Sequence, residues 1–469
     1  MKEEGEDQVP NDDEMKQLAA RFEQMIEENQ HWFFDSGDCE ELVEYYIDTN
    51  KISLALKVIE LAEKQYPFSV FFIIRKAQIF SAQNKSREAL ALLNQAEVFD
   101  SANYEIQMTK GGVLSQMGLN DQAIECYKKA LPLAENPDEV YLFTAYEFEN
   151  TFRYSDAVYY LKKALEANPD NESALYELSY CYEVTEQAEK AVEFFSSFCD
   201  SNPYSTPSWF NLGLAYNRMG MYEKAVEAYD YAILINEHFA SAYFNKGNSL
   251  AALGRFDEAI ATYRETFTHE APDAMAYYYI GECYEKKEDW DNAMVNYTRA
   301  TKLEPELADA WMGIGIVLDN QNRLIEGIHY IKKAISLDSG NADFWFIYGE
   351  VQHRLGFIEE AEGAYKKVME LDQQHPDVWL NYSNLLFDQN QKKEAMEILS
   401  DGIKHFPNNA ELQYRMSACL ISLGEKQEAV TFLQSALQLD YSKHSELFDF
   451  YPQLKENPVI LDMIESFKK

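Results

Sequence analysis

The sequence predicts an all-α fold in which helical hairpins repeat along the chain to form a solenoid. Three observations lead to this prediction. The chain has 469 residues, an alanine recurs every 34 residues, and a glycine or asparagine recurs between neighbouring apolar stretches. A chain of this length exceeds one compact core, so it must divide into domains or extend by repetition. The constant period favours repetition.

The clearest repeat runs from 206 to 239. Numbered from 1, it has Trp209 at position 4, Leu212 at 7, Gly213 at 8, Tyr216 at 11, Ala225 at 20, Tyr229 at 24 and Ala232 at 27. Steps of 34 place alanine at position 20 in every other repeat but one: Ala55, Ala89, Ala123, Ala157, Ala191, Ala259, Ala293, Ala361, Ala395 and Ala429, with Gly327 the exception. Twelve repeats therefore run from Ser36 to Lys443 without insertion or deletion.

Each part of the repeat has a physical role. Apolar residues at positions 4, 7, 8 and 11 form one helical face, and those at 20, 24 and 27 form a second. Small residues at 8 and 20 let the two helices approach closely. Position 15 is glycine or asparagine in nine repeats, as a left-handed residue ending the first helix requires. Each repeat is thus predicted to be a helical hairpin that rests on its neighbours.

These residues closely resemble the tetratricopeptide repeat family over 36–443. The resemblance implies a right-handed superhelix of hairpins. It also implies a concave groove lined by positions 2, 5, 9, 12 and 13 of each first helix, where peptides lie.

The two ends depart from the repeat. Residues 1–13 are strongly acidic and are expected to form a disordered tail. Residues 14–35 carry an apolar helical stripe and should form an N-terminal capping helix. Residues 444–469 carry two further stripes and should form a degenerate C-terminal repeat that closes the solenoid.

The composition argues against several classes of partner and location. The net charge of −39 would repel a nucleic-acid backbone or an anionic membrane, so neither is an expected partner. No apolar run approaches the roughly 20 residues of a membrane helix, and the acidic start lacks a secretory signal. The six cysteines show no CxxC spacing, and we expect them to be buried thiols. A cytoplasmic protein is expected.

No motif indicates catalysis, a metal or a cofactor. The sequence lacks the GxxxxGK[ST], HExxH and GxSxG patterns, and its eight histidines show no metal-ligand spacing. Gly313 and Gly315 form a GxG, but it falls within a predicted helix and lacks the third glycine of a dinucleotide site. We therefore expect no cofactor and no enzyme.

The groove positions supply the candidate binding residues. Position 5 forms a ladder of apolar side chains: Tyr176, Phe210, Phe244, Tyr278, Met312, Phe346, Leu380 and Tyr414. Positions 9 and 12 add candidate acids: Glu149, Glu183, Glu282, Glu285, Asp319 and Glu350. The ladder could instead pack between helices, and the acids could form an ordinary solvated face. The lysine at position 5 with which the family grips a peptide's terminal carboxylate does not occur.

The sequence favours a protein-interaction scaffold that binds an extended or helical segment in its groove. Acids and apolar rungs together favour a basic partner with apolar anchors. Two other functions stay open: a structural rod that assembles end to end, and an enzyme with a carboxylate site in the groove. The sequence leaves the oligomeric state and the identity of the partner open.

Overall fold

A computed structural model describes residues 12–468 of the chain. Within that range every regular element is a helix. The chain divides into two compact units, Met1–Glu237 and His238–Lys469. They are called unit 1 and unit 2 below.

Unit 1 begins with one helix and continues with six helical hairpins. Its helices are α1 (Asp12–Glu27), α2 (Ser36–Asp48), α3 (Ile52–Gln65), α4 (Val70–Ala82), α5 (Ser86–Phe99), α6 (Tyr104–Gln116), α7 (Asn120–Ala130), α8 (Pro137–Asn150), α9 (Tyr154–Ala167), α10 (Glu172–Val184), α11 (Ala188–Ser201), α12 (Thr206–Arg218) and α13 (Tyr222–Ile235). A 3₁₀ turn at Leu131–Leu133 follows α7.

Unit 2 holds six more hairpins and a short helical end. Its helices are α14 (Ala240–Ala252), α15 (Phe256–His269), α16 (Ala274–Lys286), α17 (Trp290–Leu303), α18 (Ala308–Asn320), α19 (Leu324–Leu337), α20 (Ala342–Leu355), α21 (Ile358–Leu371), α22 (Pro376–Asp388), α23 (Lys392–His405), α24 (Ala410–Leu423), α25 (Lys426–Leu439), α26 (Ser445–Phe450) and α27 (Pro458–Ser466). Two 3₁₀ turns, Tyr441–Lys443 and Pro452–Glu456, flank α26.

The predicted all-α solenoid of hairpins is confirmed in each unit. Within a hairpin, the alanine at position 20 of the second helix is buried against the first helix, as at Ala225 and Ala259, both 0% exposed. This close approach follows from the small side chain. The right-handed sense of the predicted superhelix remains an expectation.

The turn inside every hairpin depends on one left-handed residue. Backbone φ is positive at position 15 of all twelve repeats, including the nine glycines and asparagines that the sequence pattern indicated. The other three are Phe152 (φ 57°), Glu186 (φ 54°) and Glu288 (φ 57°). The geometry of the turn therefore overrides residue preference in three repeats.

The first described helix packs on the first hairpin. The ring of Phe22 lies 5.7 Å from that of Phe34 and 6.1 Å from that of Tyr46, and the Tyr46 hydroxyl donates to the Ala19 carbonyl at 3.3 Å. The predicted acidic tail, 1–13, lies outside the described residues except for Asp12 and Asp13, which begin α1.

At the other end, the segment after the last hairpin contributes to the core of unit 2. Leu447, Leu454, Ile460 and Ile464 are buried in the same apolar cluster as Leu433 of α25. Asn457 caps α27, because its side chain accepts from the backbone N–H groups of residues 459 and 460.

Candidate functional site

First helices of successive repeats lie side by side within each unit, as do α8, α10 and α12 in unit 1. The face that carries positions 2, 5, 6, 9, 12 and 13 of these helices is called the groove face below. Side chains connect neighbouring repeats across it. Arg75 at position 6 donates to Glu44 at position 9 of the preceding repeat (Nε to Oε1, 2.6 Å), and Asn381 donates likewise to Glu350 (Nδ2 to Oε1, 2.9 Å).

The position-5 ladder is mostly packed. Phe210, Met312, Leu380 and Tyr414 are buried, at 0–8% exposure, and Phe244, Tyr278 and Phe346 are half-buried. Tyr176 alone among these eight residues is exposed, at 39%. Their use by a partner therefore stays a prediction, and Tyr176 is the rung that presents the most surface.

The packed rungs rest on the second helix of their own repeat. Ring centroids at positions 5 and 24 are 5.9 Å apart for Phe210 and Tyr229, 5.8 Å apart for Phe244 and Tyr263, and 6.1 Å apart for Phe346 and Tyr365. These are the separations of ordinary aromatic pairs in a core.

An exposed apolar patch lies on the groove face of repeats four and five (138–171 and 172–205). It consists of Phe143, Tyr176, Tyr180 and Val184, which are 40%, 39%, 46% and 43% exposed. We call it the aromatic patch. Among the described residues, no other large apolar side chain with such exposure occupies a groove-face position.

The patch is held in place by rings beneath and beside it. Phe143 stacks on Tyr127 at 6.0 Å and lies 6.3 Å from Tyr146. On α10, Tyr176, Tyr180 and Val184 are spaced by four residues and so share one face. Well-supported aromatic rings that remain exposed are suited to contact another molecule, because little conformational entropy is lost on binding.

A carboxyl pair lies next to the patch. Glu149 of α8 and Glu177 of α10 are both half-buried, and the charge of Glu177 acts on the Glu149 carboxyl group. The Cys181 thiol also donates to Glu149 (Sγ to Oε1, 3.4 Å). Burial, followed by the charge of Glu177, raises the pKa of Glu149 to about 7.

The other candidate acids have internal partners. Glu183 forms an ion pair with Arg218, and Asp319 with Arg354 at 2.5 Å. Glu285 accepts from the Tyr297 hydroxyl at 2.7 Å.

Two half-buried acids of unit 2 complete the set. Burial raises the pKa of Glu282, although a hydrogen bond from the Tyr278 hydroxyl acts in the opposite direction. Burial likewise raises the pKa of Glu350, although the hydrogen bond from Asn381 lowers it in part. The six acids are therefore distributed over both units rather than gathered into one site.

Sequence reasoning missed three members of the patch and one of the carboxyl pair. Phe143, Tyr180, Val184 and Glu177 lie at positions 6, 9, 13 and 6. One feature of the sequence could have indicated the patch. Position 9 is a tyrosine in repeats four and five, Tyr146 and Tyr180, whereas the exposed surface of a helix is usually polar.

Metal chemistry and membrane insertion find no support in residues 12–468. That range contains no cluster of three or more His, Cys, Asp or Glu residues suited to hold an ion. None of its helices is both long and apolar enough to span a bilayer.

Comparison with known families agrees with the repeat geometry. Models of the tetratricopeptide repeat match residues 104–137, 152–197 and 207–239. The chain is a tetratricopeptide repeat protein. A model described as the C-terminal domain of cilia and flagella-associated protein 70 matches residues 235–447 of this tetratricopeptide array. None of the curated proteins matches the chain.

Solved structures of low sequence identity also resemble the tetratricopeptide array. The APC/C hetero-tetramer Cut9-Hcn1 is 16% identical, with a TM-score of 0.43 over 85% of this chain and 91% of that one. YrrB, described as a TPR protein with an unusual peptide-binding site, is 22% identical, with a TM-score of 0.32 over 39% and 95%. A structure of MamA is 26% identical, with a TM-score of 0.32 over 36% and 92%.

Proposed function

We propose that this tetratricopeptide repeat protein is an interaction scaffold that binds a segment of another protein on the groove face of unit 1. The aromatic patch is the observation that carries the proposal. Folded proteins rarely leave several large apolar side chains exposed side by side unless they meet a partner. Tyrosine is also over-represented among residues that dominate binding energy.

The bound segment is extended or helical, with apolar anchors and basic flanks. Its anchors meet the patch, and its basic residues meet the acids around it. Glu149 and Glu177 lie on the two helices that carry the patch, and their negative charge attracts a basic segment.

We also infer a binding role rather than a catalytic one. The raised pKa of Glu149 is a property that acid–base enzymes use, but the nearest nucleophile is unsuitable. Burial, together with the charge and hydrogen bond of Glu149, raises the pKa of the Cys181 thiol, so the reactive thiolate is disfavoured. The cytoplasmic location expected from the cysteines remains a prediction.

Selection of peptides on the full-length chain tests the proposal. A random library of twelve-residue peptides would be displayed, selected on the wild-type protein and then measured for affinity. Binding should weaken by roughly 1–3 kcal/mol in Tyr180→Ser, the typical effect of removing an interface tyrosine. Tyr204→Ser is the matched control, because Tyr204 is 86% exposed in unit 1 but lies between repeats, away from the groove face.

Two results would contradict the proposal. One is a selection that returns no binding peptide. The other is a set of peptides that bind Tyr180→Ser and the wild-type chain equally well.

A further inference from the structure

The aromatic patch runs along one helix of unit 1 rather than across the repeats. Its three residues on α10 are Tyr176, Tyr180 and Val184, at positions 5, 9 and 13 of repeat five. All three are 39–46% exposed. Because successive members are about one helical turn apart, the stripe extends about 12 Å along the axis of α10.

The helices on either side do not continue this stripe. At position 5, Leu142 of α8 and Phe210 of α12 are buried, each at 8% exposure. At position 9, Tyr146 and Leu214 are half-buried, and position 13 is an asparagine on α8 and an arginine on α12. A segment that crossed the repeats would meet Phe143 and one residue of α10, whereas a segment parallel to α10 meets all three of its exposed residues.

The chemistry of the patch discriminates between an extended and a helical segment. Three aromatic rings and the alkyl group of Val184 form it, and two tyrosine hydroxyls are its polar atoms. An extended backbone laid on this surface would lose water from its N–H and C=O groups without gaining partners for most of them, which costs free energy. A helix bonds those groups within itself and presents side chains alone. The patch therefore favours a helix.

The charge around the patch indicates the sign of the partner. The two helices that carry it, α8 and α10, contain no lysine, arginine or histidine but seven acids: Asp138, Glu139, Glu147, Glu149, Glu172, Glu177 and Glu183. Arg218 of α12 neutralises Glu183. The intervening helix α9 has two lysines and two acids, so the excess of acids belongs to the first helices that form the groove face. Such a surface is complementary to a basic segment.

We infer that the partner presents an amphipathic α-helix, with basic residues beside its apolar stripe, and that this helix lies along α10. The inference rests on the proposed function and names the class of segment that the groove face of unit 1 receives. The anchors of the bound helix recur at intervals of three and four residues, so that they meet Tyr176, Tyr180 and Val184 in turn. Two helices pack in this way when their axes are nearly parallel or antiparallel.

The test uses the full chain and the peptides selected on it. Double-mutant cycles combine Tyr176→Ala or Val184→Ala with an alanine replacement of each apolar residue of a peptide. A helix rises about 1.5 Å per residue and an extended chain about 3.3 Å. The anchors that couple to Tyr176 and to Val184 should therefore be about seven or eight residues apart in a bound helix, but about four apart in an extended segment.

Tyr204→Ala is the matched control for these cycles, because this exposed tyrosine of unit 1 lies away from the groove face. It should couple to none of the peptide anchors. Circular dichroism establishes that the three protein variants remain folded.

Helix formation by the peptide gives a second readout, which needs only the wild-type protein. At peptide positions where alanine leaves the affinity unchanged, replacing that alanine by glycine should weaken binding about fivefold, because glycine is a poor helix former. An extended segment has no helix to lose, so the same replacement should leave its affinity unchanged.

The outcomes separate this inference from the proposed function. Peptides that need Tyr180 but have anchors about four residues apart, or that tolerate glycine at every such position, would refute the bound helix and leave the scaffold proposal intact. Selected peptides rich in aspartate and glutamate would contradict the basic character of the helix. Peptides that ignore Tyr180, or a selection without binders, would refute both proposals.

Discussion

The ring of Tyr229 lies directly against the backbone of Gly213. A Cβ atom on Gly213 would lie 2.7 Å from Cδ1 and 2.8 Å from Cζ of that ring, which is closer than non-bonded carbon atoms approach. The tyrosine at position 24 thus occupies the space that a side chain at position 8 would need. Its ring also packs against Phe210 of position 5.

This relationship extends through the array. Every repeat with tyrosine at position 24 has glycine at position 8, and the same overlap occurs in each: Gly111 with Tyr127, Gly247 with Tyr263, Gly281 with Tyr297 and Gly349 with Tyr365. Where position 24 is leucine, position 8 is alanine or serine. The two positions are therefore one packing unit rather than two independent preferences.

Replacing Gly213 by alanine should destabilise the protein by about 1–3 kcal/mol, because the added methyl group overpacks against the Tyr229 ring. The control is Gly363→Ala, in the exposed part of α21, where an added Cβ has nothing within 4 Å. That substitution should stabilise by up to about 1 kcal/mol through helix propensity. Thermal unfolding of both variants checks the prediction, and equal shifts would contradict it.

The left-handed turn residues give a second prediction. Glu288→Gly and Phe152→Gly should each raise stability by about 1 kcal/mol, since both residues have positive φ and glycine adopts that conformation without steric cost. Gly220→Ala, at the same repeat position with φ of 67°, should lower it by a similar amount. Melting temperatures that move in one direction for all three would show that φ does not govern this position.

Sequence and structure agree where one local rule decides the outcome. The 34-residue period predicted the hairpins, and the glycines and asparagines at position 15 predicted nine of the twelve left-handed residues. Phe152, Glu186 and Glu288 could not be predicted as left-handed from their own preferences, because the neighbouring helices impose the turn.

The candidate site was harder to predict, because exposure depends on packing between repeats. Tyr176 and Tyr414 occupy the same repeat position, yet one is 39% exposed and the other 0%. Neither this difference nor the proximity of Glu149 to Glu177, which lies 28 residues later in the sequence, can be predicted from the repeat period and the residue types alone.

The half-buried Glu149 should make stability depend on pH in an identifiable way. Its pKa is raised in the folded state from 4.5 to about 7, so folding favours the protonated form. Below about pH 4.5 the group is protonated in both states and contributes nothing to the difference. As pH rises from about 4.5 to 7, ionisation favours the unfolded state, and the wild-type chain loses stability at this site.

Glu149→Gln removes that loss, so its melting temperature should exceed the wild-type value at pH 8 and approach it at pH 4.5. Glu139→Gln, on the same helix but exposed, controls for the general effect of one fewer negative charge. Thermal melts of the three proteins across this pH range provide the measurement. A constant difference between Glu149→Gln and the wild-type chain would show that Glu149 ionises normally.

The last prediction separates packing from binding along the position-5 ladder. The Tyr414 side chain is fully buried, and its hydroxyl donates to the Asp440 carbonyl at 2.9 Å. Tyr414→Ala should therefore cost about 3–5 kcal/mol of stability through the cavity left in the core of unit 2. Tyr176→Ala should change stability by less than about 1 kcal/mol, because Tyr176 is 39% exposed and leaves no closed cavity. Affinity for the selected peptides should show the opposite order, with a loss for Tyr176→Ala and none for the folded fraction of Tyr414→Ala.

Denaturant unfolding and peptide titration measure the two effects. If Tyr176→Ala unfolds the protein as severely as Tyr414→Ala, or leaves peptide affinity unchanged, the exposed rung has a structural role and the binding assignment of Tyr176 is wrong.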